Sequence, residues 1–227
     1  MTKSQIDGDA LSARGFTVLP GLIPPTECQA LAALWPDQAR FRKHIVMQRH
    51  GYGQGEYQYF TYPLPEPVER LRQALYPGLA EVANRWNEML GREQRFPPTL
   101  KEWLQQCHEG GQKRPTPLLL RYGPGDYNCL HRDLYSELVF PLQVTVLLNA
   151  PRRDFEGGEF MLVEQRPRAQ SRGEVVSLGQ GDAVIFATNE RPSKGSRGYH
   201  RTAMRHGVSS LRSGQRFTLG LIFHDAA

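Results

Sequence analysis

From Pro117 onward the sequence breaks into short apolar runs separated by glycine-rich turns, and this texture leaves few folds open. Residues 118–122, 138–148, 158–163, 175–176, 183–186 and 217–223 read as strands. Turn residues divide them, as in Pro124-Gly125-Asp126, Phe155-Glu156-Gly157-Gly158 and Gly179-Gln180-Gly181-Asp182. In the 138–148 run Val144, Val146 and Leu148 share one side. Many short strands with such turns build a sandwich or a jelly roll.

The first half reads differently. Residues 11–34 suggest a helix, a short strand at Gly15-Phe16-Thr17-Val18-Leu19-Pro20 and a second helix. Pro24 and Pro25 fall in that helix's first turn, where a missing N–H costs little. Val68, Leu71, Leu75, Leu79, Val82, Trp86 and Met89 recur in steps of three and four and mark one helical face. Pro77 lies inside this run and should kink or split it. Leu100, Trp103 and Leu104 begin another helix, ending near Gly110-Gly111. Between these helices, residues 48–62 carry Gly51, Gly53 and Gly55 among Tyr52, Tyr57, Tyr59, Phe60 and Tyr62. The glycines match no phosphate loop, since no GK[ST] follows. The segment reads as an aromatic loop, either packed on the surface or serving as a substrate lid. Base stacking on such tyrosines is one way to hold a nucleobase.

A chain of 227 residues can bury a core without disulfides. We read residues 1–227 as one domain: 1–115 as mainly helical support with a substrate-side loop, 116–227 as the catalytic core. Cys28, Cys107 and Cys129 form no CxxC pair and are expected to be free thiols. No apolar run reaches membrane-spanning length, and the N-terminus has no signal-peptide core, so no membrane partner and a cytoplasmic location are expected. The net charge is +5, and only five of the 28 basic side chains are lysine. Arginine suits phosphate and carboxylate partners, so the charge favours an anionic partner such as nucleic acid. Arginine-rich genome composition explains the same numbers.

The residues that carry chemistry are His131 and Asp133, then His206, then Arg216. In an extended strand, His131 and Asp133 project from one face and can grip one metal. A surface aspartate paired to a histidine gives the same local pattern. Two imidazoles and one carboxylate leave three metal positions open. That suits non-haem Fe(II), which must accept a chelating cosubstrate and then O2. Arg216 adds a planar, bidentate clamp for a distant carboxylate. A zinc hydrolase with the same ligands would leave Arg216 unexplained and lacks an obvious general-base glutamate.

The context of these residues resembles the iron(II)/2-oxoglutarate-dependent oxygenase superfamily. Residues 120–133, Leu-Arg-Tyr-Gly-Pro-Gly-Asp-Tyr-Asn-Cys-Leu-His-Arg-Asp, are similar to its tyrosine–glycine–His-x-Asp region. Residues 155–160 resemble its middle GGE strand and 181–186 the strand entering the second-histidine region. His206-Gly207-Val208, with Gly214-Gln215-Arg216-Phe217-Thr218-Leu219, resembles the closing segment. The resemblance covers roughly residues 117–224. It implies an α+β fold: a double-stranded β-helix (jelly-roll, cupin-like) core with a helical N-terminal half packed on it. It selects His206 over His200, because His206 stands at the family-like interval before Arg216. His200 reads as a loop histidine, and His44, His50, His108 and His224 as core or surface residues. By the same resemblance His131, Asp133 and His206 would hold Fe(II). Arg216, with Thr218 two residues on in the same strand, would bind the cosubstrate 2-oxoglutarate; Tyr122 matches a position from which some relatives donate a phenol to it, and a core strand tyrosine is its other reading. Gln143 and Thr145 are ordinary strand residues that could also line such a site.

The implied chemistry is hydroxylation of a C–H or N-methyl group, with O2 consumed and succinate and CO2 released. Three substrate classes stay open: alkylated nucleic acid, a prolyl-type peptide site, and a small molecule. The closing half resembles a bacterial group thought to act on damaged nucleic acid. AlkB-type repair demethylases usually carry a second arginine after the first in this segment, and residues 217–224 contain none. A jelly-roll binding module without turnover is the remaining reading.

Overall fold

The computed structural model describes residues 6–133, 137–166, 168–196 and 198–227. Local signals set the helices. Asp7 caps α1 (Gly8–Arg14) by accepting from the N–H groups of Asp9 and Ala10. Pro25 opens α2 (Pro25–Ala32). A reciprocal Thr99–Glu102 capping box starts α4 (Leu100–Glu109). The long helix α3 (Glu66–Met89) turns the predicted apolar face inward, with Val68, Leu71, Leu75, Leu79, Val82 and Trp86 all buried. Of the kink or split expected at Pro77, the split does not occur, and α3 runs through the proline. Leu75, Tyr76, Leu79 and Ala80 around the proline are all buried, and that packing outweighs a penalty of about 3 kcal/mol.

Seven strands form the larger sheet. They are β1 (Phe16–Leu19), β2 (Phe41–Val46), β4 (Glu56–Phe60), β5 (Leu118–Tyr122), β7 (Leu142–Leu147), β11 (Ala183–Ala187) and β15 (Arg216–Leu221). Their order is β1-β11-β7-β15-β5-β4-β2, and neighbours run antiparallel. The second sheet runs β10-β9-β13-β6-β3, with β12 also paired to β13. Its strands are β3 (Gly53–Gln54), β6 (Tyr127–His131), β9 (Phe160–Gln165), β10 (Arg172–Val176), β12 (Glu190–Gly195) and β13 (Gly198–Val208). A short pair, β8 (Phe155–Gly157) with β14 (Leu211–Gly214), completes a jelly roll.

Strand alternation gives the larger sheet two unlike faces. Leu119, Val144, Val146, Leu219 and Leu221 join the apolar core shared with α3 and α4. The residues between them, Leu118, Leu120, Tyr122, Gln143, Thr145, Arg216 and Thr218, line a cavity of about 520 Å³ between the sheets. Here the reading of Val144, Val146 and Leu148 as one face holds, and the face is the one turned to the core.

Three other readings are corrected. Residues 48–62 are not a loop: a short turn leads into β3 and β4, which extend both sheets, and Tyr52, Tyr57 and Tyr59 line the cavity. The aromatic alternation there is strand pattern, with Tyr57 and Tyr59 on one face. The 138–148 strand begins only at Leu142. Gly157 and Gly158 form a positive-φ turn, so the strand that follows starts at Phe160.

Candidate active site

His131 ends β6 and pairs in register with His206 of β13, so strand geometry alone sets two imidazoles side by side. Their ring centroids are 4.2 Å apart. Asp133 lies just past β6, and its backbone N–H donates to the Thr188 carbonyl after β11. Its carboxylate sits 3.5 Å from Nε2 of each histidine. One ligating atom from each of the three residues falls within 4.8 Å of the others.

Each member is held differently. The Nδ1–H of His131 donates to the Cys129 carbonyl at 2.8 Å, which leaves Nε2 unprotonated for a metal. Gln143 on β7 donates to Asp133 Oδ2 at 2.7 Å. The His206 ring is fixed by packing against Phe186, at 4.7 Å between centroids. Burial pulls its pKa down to about 4, so it is neutral near pH 7. A neutral imidazole is the ligating form.

Arg216 is 2% exposed, and its Nε and Nη1 have no hydrogen-bond partner. Burial lowers its pKa to about 10, so it stays charged. Leaving such a donor unpaired is costly. Gly158, at φ 63°, makes its position feasible, because a Cβ there would stand 2.9 Å from Arg216 Cδ. Its guanidinium carbon lies 5.5 Å from the centre of the ring of Tyr122, its register partner on β5. Burial pushes that phenol up to about 12. Thr218, two residues on, is buried on the same cavity wall.

The structure therefore brings together all six predicted site residues, His131, Asp133, His206, Arg216, Thr218 and Tyr122, around one cavity. His200 is not among them. It lies on β13 rather than in a loop, beside a separate hollow with Arg85, Arg191 and Lys194. Sequence reasoning passed over His224, which also lines the main cavity. Strand alternation could have found it, since Arg216, Thr218, Gly220, Ile222 and His224 are spaced by two and all line that wall.

The fold is that of the 2-oxoglutarate/Fe(II) oxygenases. A Pseudomonas putida prolyl-4-hydroxylase superposes with a TM-score of 0.59 at 16% identity, over 98% of each chain. A Burkholderia pseudomallei oxidoreductase of the 2OG-Fe(II) oxygenase family gives 0.53 at 18% identity, over 97% of this chain and 91% of that one. Within this fold the chain belongs to the Oxygenase-NA family, whose model matches residues 55–226 and is described as an oxygenase catalysing oxidative methylation of damaged DNA. The uncharacterized protein Rv2227 of Mycobacterium tuberculosis (strain H37Rv) is 55% identical over 168 residues, 74% of this chain and 72% of that protein. No helix among the described residues is long and apolar enough to cross a membrane.

Proposed function

We propose that this protein is an iron(II)- and 2-oxoglutarate-dependent dioxygenase that oxidatively removes N-alkyl groups from damaged nucleic acid. The observation that carries the reading is one cavity holding both a two-histidine, one-carboxylate cluster and a buried, unpaired arginine. The donor set fits Fe(II), because three protein ligands leave room for a chelating cosubstrate and O2. The arginine fits a cosubstrate with a second carboxylate.

When bound, iron and 2-oxoglutarate supply the oxidising power, converting O2 and the keto acid to CO2, succinate and one hydroxylated substrate carbon. On an N-methyl group that hydroxylation ends in loss of formaldehyde, which is why an oxygenase of damaged DNA removes methyl groups. The protein's own residues bind and orient. His131, Asp133 and His206 would hold the metal, with the carboxylate of Asp133 aimed by Gln143. Arg216 would clamp the distal carboxylate, with the Thr218 hydroxyl as a further donor and the Tyr122 phenol, protonated at neutral pH, beside it. The Phe160 and Phe186 rings pack against His206 and would shield that ligand from water.

The nucleic-acid substrate draws support from the family description and from the cationic residues Arg42, Lys43 and Arg114 on the cavity wall. The test is succinate release from 2-oxoglutarate with Fe(II), comparing a methylated single strand with its unmethylated twin. Stimulation by the methylated strand alone is expected. Equal basal succinate with both strands would keep the oxygenase and reject the nucleic-acid substrate, and no succinate at all would reject the oxygenase.

A further inference from the structure

We infer that the cavity selects a neutral, carbonyl-bearing N-methylated base over a cationic one, and that His224 is the donor that reads the carbonyl. The inference rests on the nucleic-acid reading above and narrows it.

Register lays out the cavity wall in rows. Arg216 pairs with Tyr122; Thr218 with Leu120, which pairs with Tyr57; Gly220 with Leu118, which pairs with Tyr59. Continuing past β15, Ile222 and His224 extend the same face away from Arg216. Asp133 would place the metal between these ends, because it is bonded to Gln143, which adjoins Val144, the register partner of Leu221. A cosubstrate reaching from metal to Arg216 leaves the His224 end for substrate.

That end is positively charged. Asp133 is the only carboxylate among the described lining residues, whereas Arg42, Lys43 and Arg114 all contribute cations. Arg42 is fixed in place: its Nε donates to the Pro115 carbonyl at 2.8 Å, and its guanidinium stacks 4.6 Å from the Tyr59 ring centre. The charge of Asp133 would be committed to the metal. The buried Asp225, next to His224 in sequence, is neutralised by Arg72 at 3.0 Å. Tyr52, Tyr57 and Tyr59 offer faces on which any base can stack, but no carboxylate there is free to balance a positive one, while the phosphates of a strand would meet the cations at the rim.

His224 supplies the reading. Its Nδ1 accepts the Phe140 N–H at 3.2 Å, which fixes the tautomer and places the ring proton on Nε2. Its backbone is clamped as well, with the carbonyl accepting from the Thr116 hydroxyl and from Arg72. Nε2 makes no hydrogen bond to the described residues, and His224 lines the cavity. Burial keeps the imidazole neutral near pH 7. A rigid neutral N–H donor matches a carbonyl and rejects an amino group. Methylation at N3 of thymine or N1 of guanine leaves a neutral base with a carbonyl beside the methyl. Methylation at N1 of adenine or N3 of cytosine leaves a cation with an amino group beside the methyl; 3-methylcytosine keeps a carbonyl on the other side, so its positive charge is what sets it apart.

The experiment measures binding of short labelled single strands to the anaerobic protein loaded with Fe(II) and 2-oxoglutarate. Each strand carries one 3-methylthymine, 1-methylguanine, 1-methyladenine or 3-methylcytosine in the same context, and formaldehyde release after admitting air is the second readout. The neutral lesions are expected to be favoured about tenfold or more in both. His224→Phe should shrink that ratio to near one, and His224→Gln, whose amide still donates, should restore part of it. If the Phe variant does not fold, the wild-type ratio alone decides. A preference for the cationic lesions, or no preference, overturns the inference. If none of the four binds better than the unmodified strand, the nucleic-acid reading falls, and this inference with it.

Discussion

Two arginines of this protein are buried to the same degree and treated in opposite ways. Arg72, on α3, is fully buried and fully engaged. Its Nε donates to the Ile222 carbonyl at 2.8 Å, its Nη1 to the Tyr62 hydroxyl at 3.3 Å, and its Nη2 to Asp225 at 3.0 Å. Asp225 in turn takes the Tyr62 hydroxyl and His108, each at 2.8 Å. This closed cluster ties the long helix to the C-terminal segment. Arg216 is as deep, yet two of its nitrogens have no partner, and the cavity it lines is open to a ligand. A buried charge that is satisfied within the protein is structural. One left unsatisfied anticipates something that the protein does not itself contain.

The largest expected effect falls on the open side. Asp133→Ala should cut 2-oxoglutarate turnover more than about a thousandfold, since the metal would lose the one carboxylate the protein supplies. Thermal unfolding should stay near wild type, because Asp133 makes few structural contacts. Retained turnover would break the metal assignment. On the closed side, Asp225→Ala should cost about 3–5 kcal/mol in urea unfolding, since it strands the Arg72 charge in the core. A cost below about 1 kcal/mol would show the cluster is not the tie it resembles.

Arg216→Met reverses that sign. Removing an unpaired charge should leave stability unchanged or higher, while the 2-oxoglutarate concentration for half-maximal turnover rises roughly a hundredfold, as expected for two charge-assisted bonds. In a thermal-shift measurement with Mn(II), 2-oxoglutarate should stabilise the wild type and not this variant. Equal stabilisation of both would assign the carboxylate to another residue.

The smallest effect is a pH dependence. Burial lowers both His206 and His224 to about 4, well below their ordinary value; for His224 the Arg72 charge adds to this while Asp133 and Asp225 oppose it. The unfolded chain binds protons at these sites between about pH 4 and 6.5 that the fold excludes. Stability is therefore full above the unfolded value and declines as pH falls toward 4, by at most about 3 kcal/mol per histidine. His224 sits on the boundary of the comparison, its carbonyl in the closed cluster and its ring in the open one. His224→Gln should flatten part of the slope between pH 7.5 and 5, and an unchanged slope would assign it elsewhere.

Much of the site was legible because it depends on short spacings. His131 and Asp133 are two residues apart, and Arg216 and Thr218 share a strand face by simple alternation. The jelly roll was legible from its turns. The helical face of α3 was legible from its period, since six of its seven marked positions are buried. The aromatic segment at 48–62 misled, because glycines among tyrosines carry a loop's composition, and pairing to β5 and β6 makes them strand.

By itself, then, the sequence determined the strand and helix periods, the ligand types, and the arginine with no acidic neighbour in its own strand. The sequence already favoured His206 by its interval before Arg216, but only the tertiary structure set it beside His131, because register between β6 and β13 makes that pairing. Only it distinguished Arg72 from Arg216, since partners for a buried charge come from residues as distant in sequence as Asp225. It alone raised His224 from an unremarkable residue to a fixed donor in the cavity. Period and composition act between near neighbours. Satisfaction of buried charge is a property of the assembled core, and no single strand can show it.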